Sequence, residues 1–94
     1  MKGYWITLCH VTDTERYSKY IKLAGPAIEK FGGIFLARGG NQENLEGDSH
    51  ERTVVVEFKS FEDAKDAYNS KEYKKALEYS SNSSERHLVI VEGL

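Results

Sequence analysis

The chain has 94 residues, of which 39% are apolar and 30% are charged, and its formal net charge is −2. This length allows one domain over residues 1–94, and its apolar and aromatic content excludes a disordered chain. No uncharged apolar run approaches the roughly 20 residues of a membrane span, and the near balance of 13 basic and 15 acidic side chains argues against nucleic-acid binding.

The N-terminal third predicts a strand followed by a helix. Tyr4–Val11 is rich in aromatic and β-branched residues and contains no Gly or Pro, which is typical of a strand. Thr12 and Glu15 have the spacing of a capping box, and apolar residues recur behind them at helical intervals. Pro26 lies inside this pattern, so we expect the helix to kink or restart there. Gly32–Gly33 then ends the helix.

The middle of the chain predicts two strands joined by a long connection. Ile34–Arg38 is a short strand that is mostly apolar and is closed by Gly39–Gly40. Asn41–Glu51 is mainly polar and is typical of a loop. Arg52–Phe58 contains three consecutive valines and is the clearest strand signal in the chain.

The last third predicts two short helices and a closing strand. Ser60 begins the first of these helices, and Ser70 can cap the second. Ser80–Ser84 is expected to form a flexible loop, and His87–Glu92 is predicted as the last strand.

The order of these elements is that of the ferredoxin-like fold, a split βαβ arrangement. Right-handed crossovers give an α+β domain with an antiparallel sheet in the order 4-1-3-2 and its helices on one face. The third strand nevertheless has apolar residues on both parities, with Val54 and Val56 on one and Val55 on the other. Because a solvated sheet face shows cleaner alternation, we expect a second copy to cover it in a C2 homodimer.

Several short blocks resemble the domain-of-unknown-function 1330 family. They are Lys2–Ile6, Phe35–Gly40, Val56–Phe58, Ser70–Tyr73 and Val89–Gly93. The resemblance extends over nearly the whole chain and implies a ferredoxin-like domain of the dimeric α/β barrel group, in which two sheets pack face to face. That wider group includes cofactor-free monooxygenases, lactone isomerases and haem-dependent enzymes. The resemblance implies no particular activity and transfers no catalytic residue.

Four side chains that are basic or can become so are expected at one end of the sheet. His10, Arg38, Arg52 and His87 fall where the first two strands end and the last two begin. Near the start of the first helix they favour an anionic ligand such as a carboxylate or a phosphate. The alternative is solvated charge that the acidic loop balances. Arg38 is the foremost candidate, because Gly39–Gly40 beyond it allows close approach.

Glu57 is a candidate general base. It shares strand parity with Val55, and we expect Trp5, Thr7 and Cys9 on the same face, toward the partner subunit. A carboxylate beside Trp5 in a partly dry interface has a raised pKa and can accept a proton. The alternative is an ion pair across the dimer.

The remaining candidates are aromatic and imidazole side chains. His10 is a further catalytic candidate, whereas Trp5, Tyr73 and His87 are expected to contact a ligand together with Arg38. Each of the aromatic residues has an alternative role in the core.

Metal binding has little support in the sequence. His10, His50 and His87 match no ligand motif, and strand parity aims His10 and His87 at different faces. A single cysteine, Cys9, excludes an intrachain disulfide and zinc motifs built on cysteine pairs. We therefore expect no metal and no other cofactor.

Two classes of function follow from these features. The first is a small-molecule enzyme or binder whose partly aromatic pocket holds a hydrophobic carboxylic acid, anchored by Arg38 or a histidine. The alternative is a non-enzymatic dimer that senses a ligand or contacts another protein. The expected partners are a second copy and a small-molecule acid, with neither nucleic acid nor membrane. The expected location is the cytoplasm, because the N-terminal residues lack the features of a signal peptide.

Overall fold

The computed structural model describes all residues from Met1 to Leu94 and contains four strands and three helices. The strands are β1 (Gly3–Val11), β2 (Ile34–Arg38), β3 (Arg52–Phe58) and β4 (Ser84–Glu92). The helices are α1 (Thr14–Lys30), α2 (Phe61–Asn69) and α3 (Lys71–Ser80). None of the helices is both long and apolar enough to cross a membrane.

The strands form one antiparallel sheet in the order β2-β3-β1-β4, which confirms the predicted order. In this sheet β1 is central, and its Trp5 pairs with Val56 of β3 and with Ile90 of β4. The second helix of the predicted βαββαβ order is divided into α2 and α3 at Ser70. The domain is therefore ferredoxin-like.

The hydrophobic core lies between the helices and one face of the sheet, which we call the covered face. Three side chains of β1 are buried on it: Trp5, Thr7 and Cys9. The prediction that Trp5, Thr7 and Cys9 share a face with Glu57 is wrong, because residues that pair across two neighbouring strands point to the same face of the sheet. Trp5 pairs with buried Val56, whereas the residue opposite Glu57 is Tyr4.

The other face of the sheet, the open face, carries aliphatic side chains in contact with solvent. They include Leu8 (39% exposed), Val91 (47%), Val89 (56%) and Ile34 (58%). Val55 also lies on this face, opposite Ile6 of β1. An antiparallel sheet face in water normally presents polar side chains, so this face is unusually apolar.

The start of α1 differs from the predicted one. Asp13 is the N-cap, and its carboxylate accepts a hydrogen bond from the Arg16 amide at 3.1 Å. The amides of Thr12 and Asp13 both donate to the Ser83 carbonyl, at 2.8 and 3.1 Å. These two bonds tie the chain to the start of β4 just before the helix, so Asp13 rather than Thr12 takes the capping position.

The remaining helix signals agree with the structure, apart from the restart expected as one of two outcomes at Pro26. Ser60 and Ser70 cap α2 and α3 as predicted, each accepting a hydrogen bond from an amide three residues later. However, α1 does not restart at Pro26 but continues to Lys30. Pro26 and Lys22 are both exposed, so water can reach the Lys22 carbonyl that has lost its amide donor.

Candidate functional site

A cavity lies between α1 and the covered face of the sheet. Its volume of about 30 Å³ has room for about two water molecules or one carboxylate group. Nine of its 13 lining residues are hydrophobic: Trp5, Tyr17, Tyr20, Ile21, Ala24, Ile28, Phe35, Val54 and Val56. The other four are Thr7, Arg38, Arg52 and Arg86. The wall is therefore apolar and aromatic apart from one hydroxyl and three cations.

The three arginines come from three different strands. Arg38 ends β2, Arg52 begins β3, and Arg86 is the third residue of β4. Strand register brings them to one end of the sheet, since Arg52 and Arg86 both lie opposite Cys9, and Arg38 lies opposite Val54. The sheet thus concentrates positive charge at one end of an apolar cavity.

Each guanidinium lies over an aromatic ring of the same cavity. The pairs, with the distance from Cζ to the ring centroid, are Arg38 on Phe35 (4.0 Å), Arg86 on Tyr20 (4.7 Å) and Arg52 on Tyr17 (6.0 Å). An arginine that packs on a ring keeps the N–H groups at its edge available for bidentate hydrogen bonds to a carboxylate.

No carboxylate of the protein neutralises these arginines. The ion pairs are elsewhere: Lys2–Glu57, His10–Glu51 and Lys30–Glu72. Burial, assisted by the hydrogen bond from Cys9, raises the pKa of Tyr17 to about 12. Burial also raises the pKa of Tyr73, which lies behind the cavity wall. Both phenols are therefore neutral at pH 7, and the cavity has a net positive charge.

Arg52 carries an unsatisfied hydrogen-bond donor. Its Nε is buried and has no partner in the protein. A buried donor without an acceptor costs about 1–3 kcal/mol. An acceptor that entered the cavity at this point would remove that cost.

Two glycines make room for the guanidiniums. Gly39 has a φ of +71°, and a Cβ on it would overlap the Arg52 guanidinium. Gly25 of α1 lies against Arg38, where a Cβ would come within 3.1 Å of Nη2. We expected Gly39–Gly40 to clear space beside Arg38, but the arginine that Gly39 accommodates is Arg52.

A β-bulge in β2 turns Arg38 toward the cavity. Phe35 pairs with Val56 and Ala37 pairs with Val55, so the register shifts between these two positions. In a regular strand, Arg38 would point away from the face of Phe35, which lies three residues earlier. The extra residue of the bulge places Phe35 and Arg38 on the same face.

Arg86 is absent from the predicted candidates. We expected β4 to begin at His87, whereas it begins at Ser84. Arg86 alternates in phase with Leu88 and Ile90, which pack against the core. This period of two is the sequence signal that would have placed Arg86 on the covered face.

Tyr73 supports Arg86 from behind the cavity. It is fully buried, and its hydroxyl accepts a 3.0 Å hydrogen bond from Arg86 Nη2 and lies 2.7 Å from the hydroxyl of Tyr20. Burial alone would lower the pKa of Arg86, but the oxygens of Tyr20 and Tyr73 outweigh it and raise that pKa. The two tyrosines therefore hold a charged Arg86 in place. Of the residues predicted to contact a ligand, Trp5 and Arg38 line the cavity and Tyr73 does not.

His10 and His87 lie on the open face. His87 pairs with Leu8, and His10 follows Leu8 at strand periodicity, so the prediction of different faces is wrong. His10 Nδ1 lies 3.0 Å from Glu51 Oε2, and the His87 ring packs edge-on against His50 at 5.4 Å. No group of three or more His, Cys, Asp or Glu side chains is placed to hold a metal ion.

Glu57 also lies on the open face. Its carboxylate accepts a 3.4 Å hydrogen bond from the Tyr4 hydroxyl and lies 3.5 Å from Lys2 Nζ. Trp5 is on the opposite face of the sheet. Trp5 and the Glu57 carboxylate are therefore not in contact, contrary to the prediction. Glu57 instead forms an ion pair with Lys2 of its own subunit.

We expect the His10–Glu51 pair to make stability depend on pH. The hydrogen bond to Glu51 raises the pKa of His10 above 6.5. Hydrogen bonds from His10 and Val11 lower the pKa of Glu51 from 4.5 to about 2. The pair therefore stabilises the fold fully between about pH 5 and 6.5, and less as pH rises through the folded-state pKa of His10 or falls from 4.5 toward 2.

An NMR titration of the His10 ring checks this expectation. The parent protein should titrate above 6.5, and Glu51→Gln should return the pKa to about that ordinary value. Above the pKa of His10, where the ring is neutral, the Glu51→Gln variant and the parent should have the same free energy of unfolding. A His10 pKa that is identical in both proteins would contradict the assignment.

The fold and the cavity together define a class of protein, a ferredoxin-like α+β domain with a cationic cavity between its first helix and its sheet. The chain belongs to the family described as Domain of unknown function (DUF1330), which it matches over residues 2–94. This match confirms the resemblance found in the sequence. The chain matches none of the curated proteins.

Three solved structures illustrate how widely the fold is shared. The RPA0582 protein of unknown function from Rhodopseudomonas palustris has a TM-score of 0.82 at 17% identity, with 99% of this chain and 82% of that chain covered. A dimeric ferredoxin-like protein of unknown function from Bacteroides fragilis has a TM-score of 0.59 at 17% identity, covering 98% and 96%. A protein from Caulobacter crescentus, provisionally named an antibiotic biosynthesis monooxygenase, has a TM-score of 0.65 at 12% identity, covering 99% and 89%. At these identities the likeness shows the fold alone.

Proposed function

We propose that the protein binds a small organic acid, a carboxylate with an apolar body, and that its carboxylate group occupies the cavity between α1 and the sheet. The observation that carries this proposal is the convergence of Arg38, Arg52 and Arg86, none of them paired with a carboxylate, on an apolar cavity. Arg52 and Arg86 are partly buried, and charge away from bulk water is costly unless an opposite charge compensates it. A ligand carboxylate in the cavity supplies that compensation, and the apolar part of the ligand extends beyond the cavity.

The lining supports binding rather than acid–base catalysis. It contains no carboxylate and no imidazole, and the phenol of Tyr17 stays protonated at neutral pH. The candidate bases His10 and Glu57 are on the open face, separated from the cavity by the sheet. A proton acceptor is therefore missing from the cavity itself, which favours a carrier or sensor of an acid over an enzyme.

Calorimetric titration with benzoate and hexanoate tests this function. We expect both acids to bind the parent and Arg52→Leu to bind them about 10- to 100-fold more weakly, the value of about one charge-assisted hydrogen bond. Lys19→Leu removes an exposed cation on α1 outside the cavity and is the matched control. Absence of binding to the parent, or equal binding by Arg52→Leu, would contradict the proposal.

We also propose that the chain forms a homodimer through the open face. Leu8, Val89 and Val91 are 39–56% exposed on this face, an arrangement typical of a surface that another subunit covers. The relative from Bacteroides fragilis is described as dimeric. Packing of two open faces would leave both cavities accessible, since each lies on the helix side of its sheet. A dimer of acid-binding subunits also fits the alternative class of function, a ligand-sensing module.

Val55→Asp tests the dimer. We expect light scattering to give about twice 10.7 kDa for the parent at micromolar concentration and about 10.7 kDa for the variant. The reason is that the variant places an unpaired charge at a dry contact. Ser81→Asp adds the same charge in an exposed turn and should leave the dimer intact. A parent mass near that of one chain would overturn the proposal.

We place this function in the cytoplasm. Cys9 is the only cysteine and is buried as a free thiol. A small domain that depends on its apolar core and has no disulfide suits a reducing compartment. Fractionation of the natural cells with an antibody to the protein tests this assignment, which recovery outside the cytoplasm would contradict.

A further inference from the structure

The cavity is smaller than any acid that has an apolar body. Its 30 Å³ accommodates a carboxylate group and little more. It adjoins a surface groove of about 400 Å³, with which it shares Tyr17, Ile21 and Arg52. A second groove along β4 shares only Arg86 with the cavity. The groove that shares more of the cavity wall therefore lies beside the first turns of α1.

The groove has a character suited to the rest of the ligand. Besides the shared residues, its walls include Val11 and the hydroxyl-bearing Thr14 and Ser18, so an uncharged chain fits there. Glu51 is also part of the groove. Its carboxylate is held by the Val11 amide at 2.8 Å and by His10, which fixes a negative charge at the outer end. Charge along the path thus changes from positive inside to negative outside.

Given the proposed function, on which this inference rests, we infer that the ligand is an elongated monocarboxylic acid. Its carboxylate lies among the guanidiniums, and its chain extends along the shared residues Tyr17, Ile21 and Arg52 into the groove. Glu51 discriminates against a second carboxylate at the far end of the chain by like-charge repulsion. Gly39 keeps this passage open, because a side chain there would collide with Arg52.

Acetate, hexanoate and adipate distinguish the parts of this inference when NMR titration measures their dissociation constants. We expect hexanoate to bind the parent at least tenfold more tightly than acetate, and adipate to bind more weakly than hexanoate. Ser18→Tyr fills the groove and should remove the advantage of hexanoate while leaving acetate binding unchanged. Lys19→Tyr puts the same side chain on the next residue of α1, outside the groove, and should change neither constant. Glu51→Gln should improve adipate binding relative to hexanoate.

The outcomes separate this inference from the proposed function. Equal binding of acetate and hexanoate, or unchanged hexanoate binding by Ser18→Tyr, overturns the groove assignment and leaves the acid site in place. Adipate that binds the parent as tightly as hexanoate overturns the role of Glu51. Failure of all three acids to bind the parent overturns the proposed function and the inference with it. Thermal unfolding of Ser18→Tyr confirms that this exposed position tolerates the substitution.

Discussion

Trp5→Ala is expected to reduce the free energy of unfolding by about 3–5 kcal/mol. Trp5 is only 2% exposed and packs on Tyr73, Phe58 and Tyr68, with ring centroids 4.8, 5.3 and 5.9 Å away. Its Nε1 also donates to the Ala64 carbonyl at 2.8 Å. Alanine leaves a large void and removes this hydrogen bond. Because a domain of this size has about 5–15 kcal/mol of stability in total, the variant should be close to unfolding.

Urea unfolding of three variants measures the effect. Trp5→Phe keeps much of the ring packing but loses the hydrogen bond, so its loss should be clearly smaller than that of Trp5→Ala. Leu23→Ala, at a position on α1 that is 41% exposed, is the surface control and should cost less than about 1 kcal/mol. If Trp5→Ala reduced the free energy of unfolding as little as Leu23→Ala does, Trp5 would line the cavity without stabilising the fold.

Arg38→Lys is expected to weaken hexanoate binding nearly as much as Arg38→Ala, by about 10- to 100-fold. The Arg38 guanidinium lies over Phe35, with Cζ 4.0 Å from the ring centroid, and offers a planar fork that an ammonium group does not reproduce. The side chain is exposed and makes no hydrogen bond or ion pair within the protein. Both variants should therefore unfold within about 0.5 kcal/mol of the parent.

Calorimetry with hexanoate and thermal unfolding check the two halves of this expectation. Arg16→Lys is the matched control, because Arg16 lies over the Tyr79 ring at 5.0 Å outside the cavity. Its hexanoate affinity should equal that of the parent. If both Arg38 variants instead lose several degrees of melting temperature and the parent binds no acid, Arg38 stabilises the Asn41–Glu51 connection. The structure shows no hydrogen bond between the two.

The element order could be predicted because each strand and helix has its own local signal. The valines of Arg52–Phe58 and the serine caps of α2 and α3 identify these elements without any tertiary contact. The sheet order then follows from the handedness of the crossovers. Pairing partners are not local, however, so the face to which each residue points is harder to predict.

The face of Trp5 shows why part of the site could not be predicted. Both parities of β1 are apolar, with Trp5 on one and Ile6 on the other, and only the pairing with β3 decides which of them meets the helices. Arg86 was missed for a related reason. The first residues of β4 are polar, so a search for apolar runs does not include them in the strand. Arg38 was found, but its direction depends on a bulge that pairing with β3 creates.

The bulge in β2 makes the direction of Arg38 depend on pairing with β3 as well as on residue type. Two residues separate Phe35 from Arg38, so regular alternation over the same length would place the ring and the guanidinium on opposite faces of the sheet. A chain with only one residue between the aromatic ring and the arginine would bring both to the same face without a bulge. When related chains are aligned, those that keep two residues between the ring and the arginine therefore need the bulge to hold this cation in the cavity.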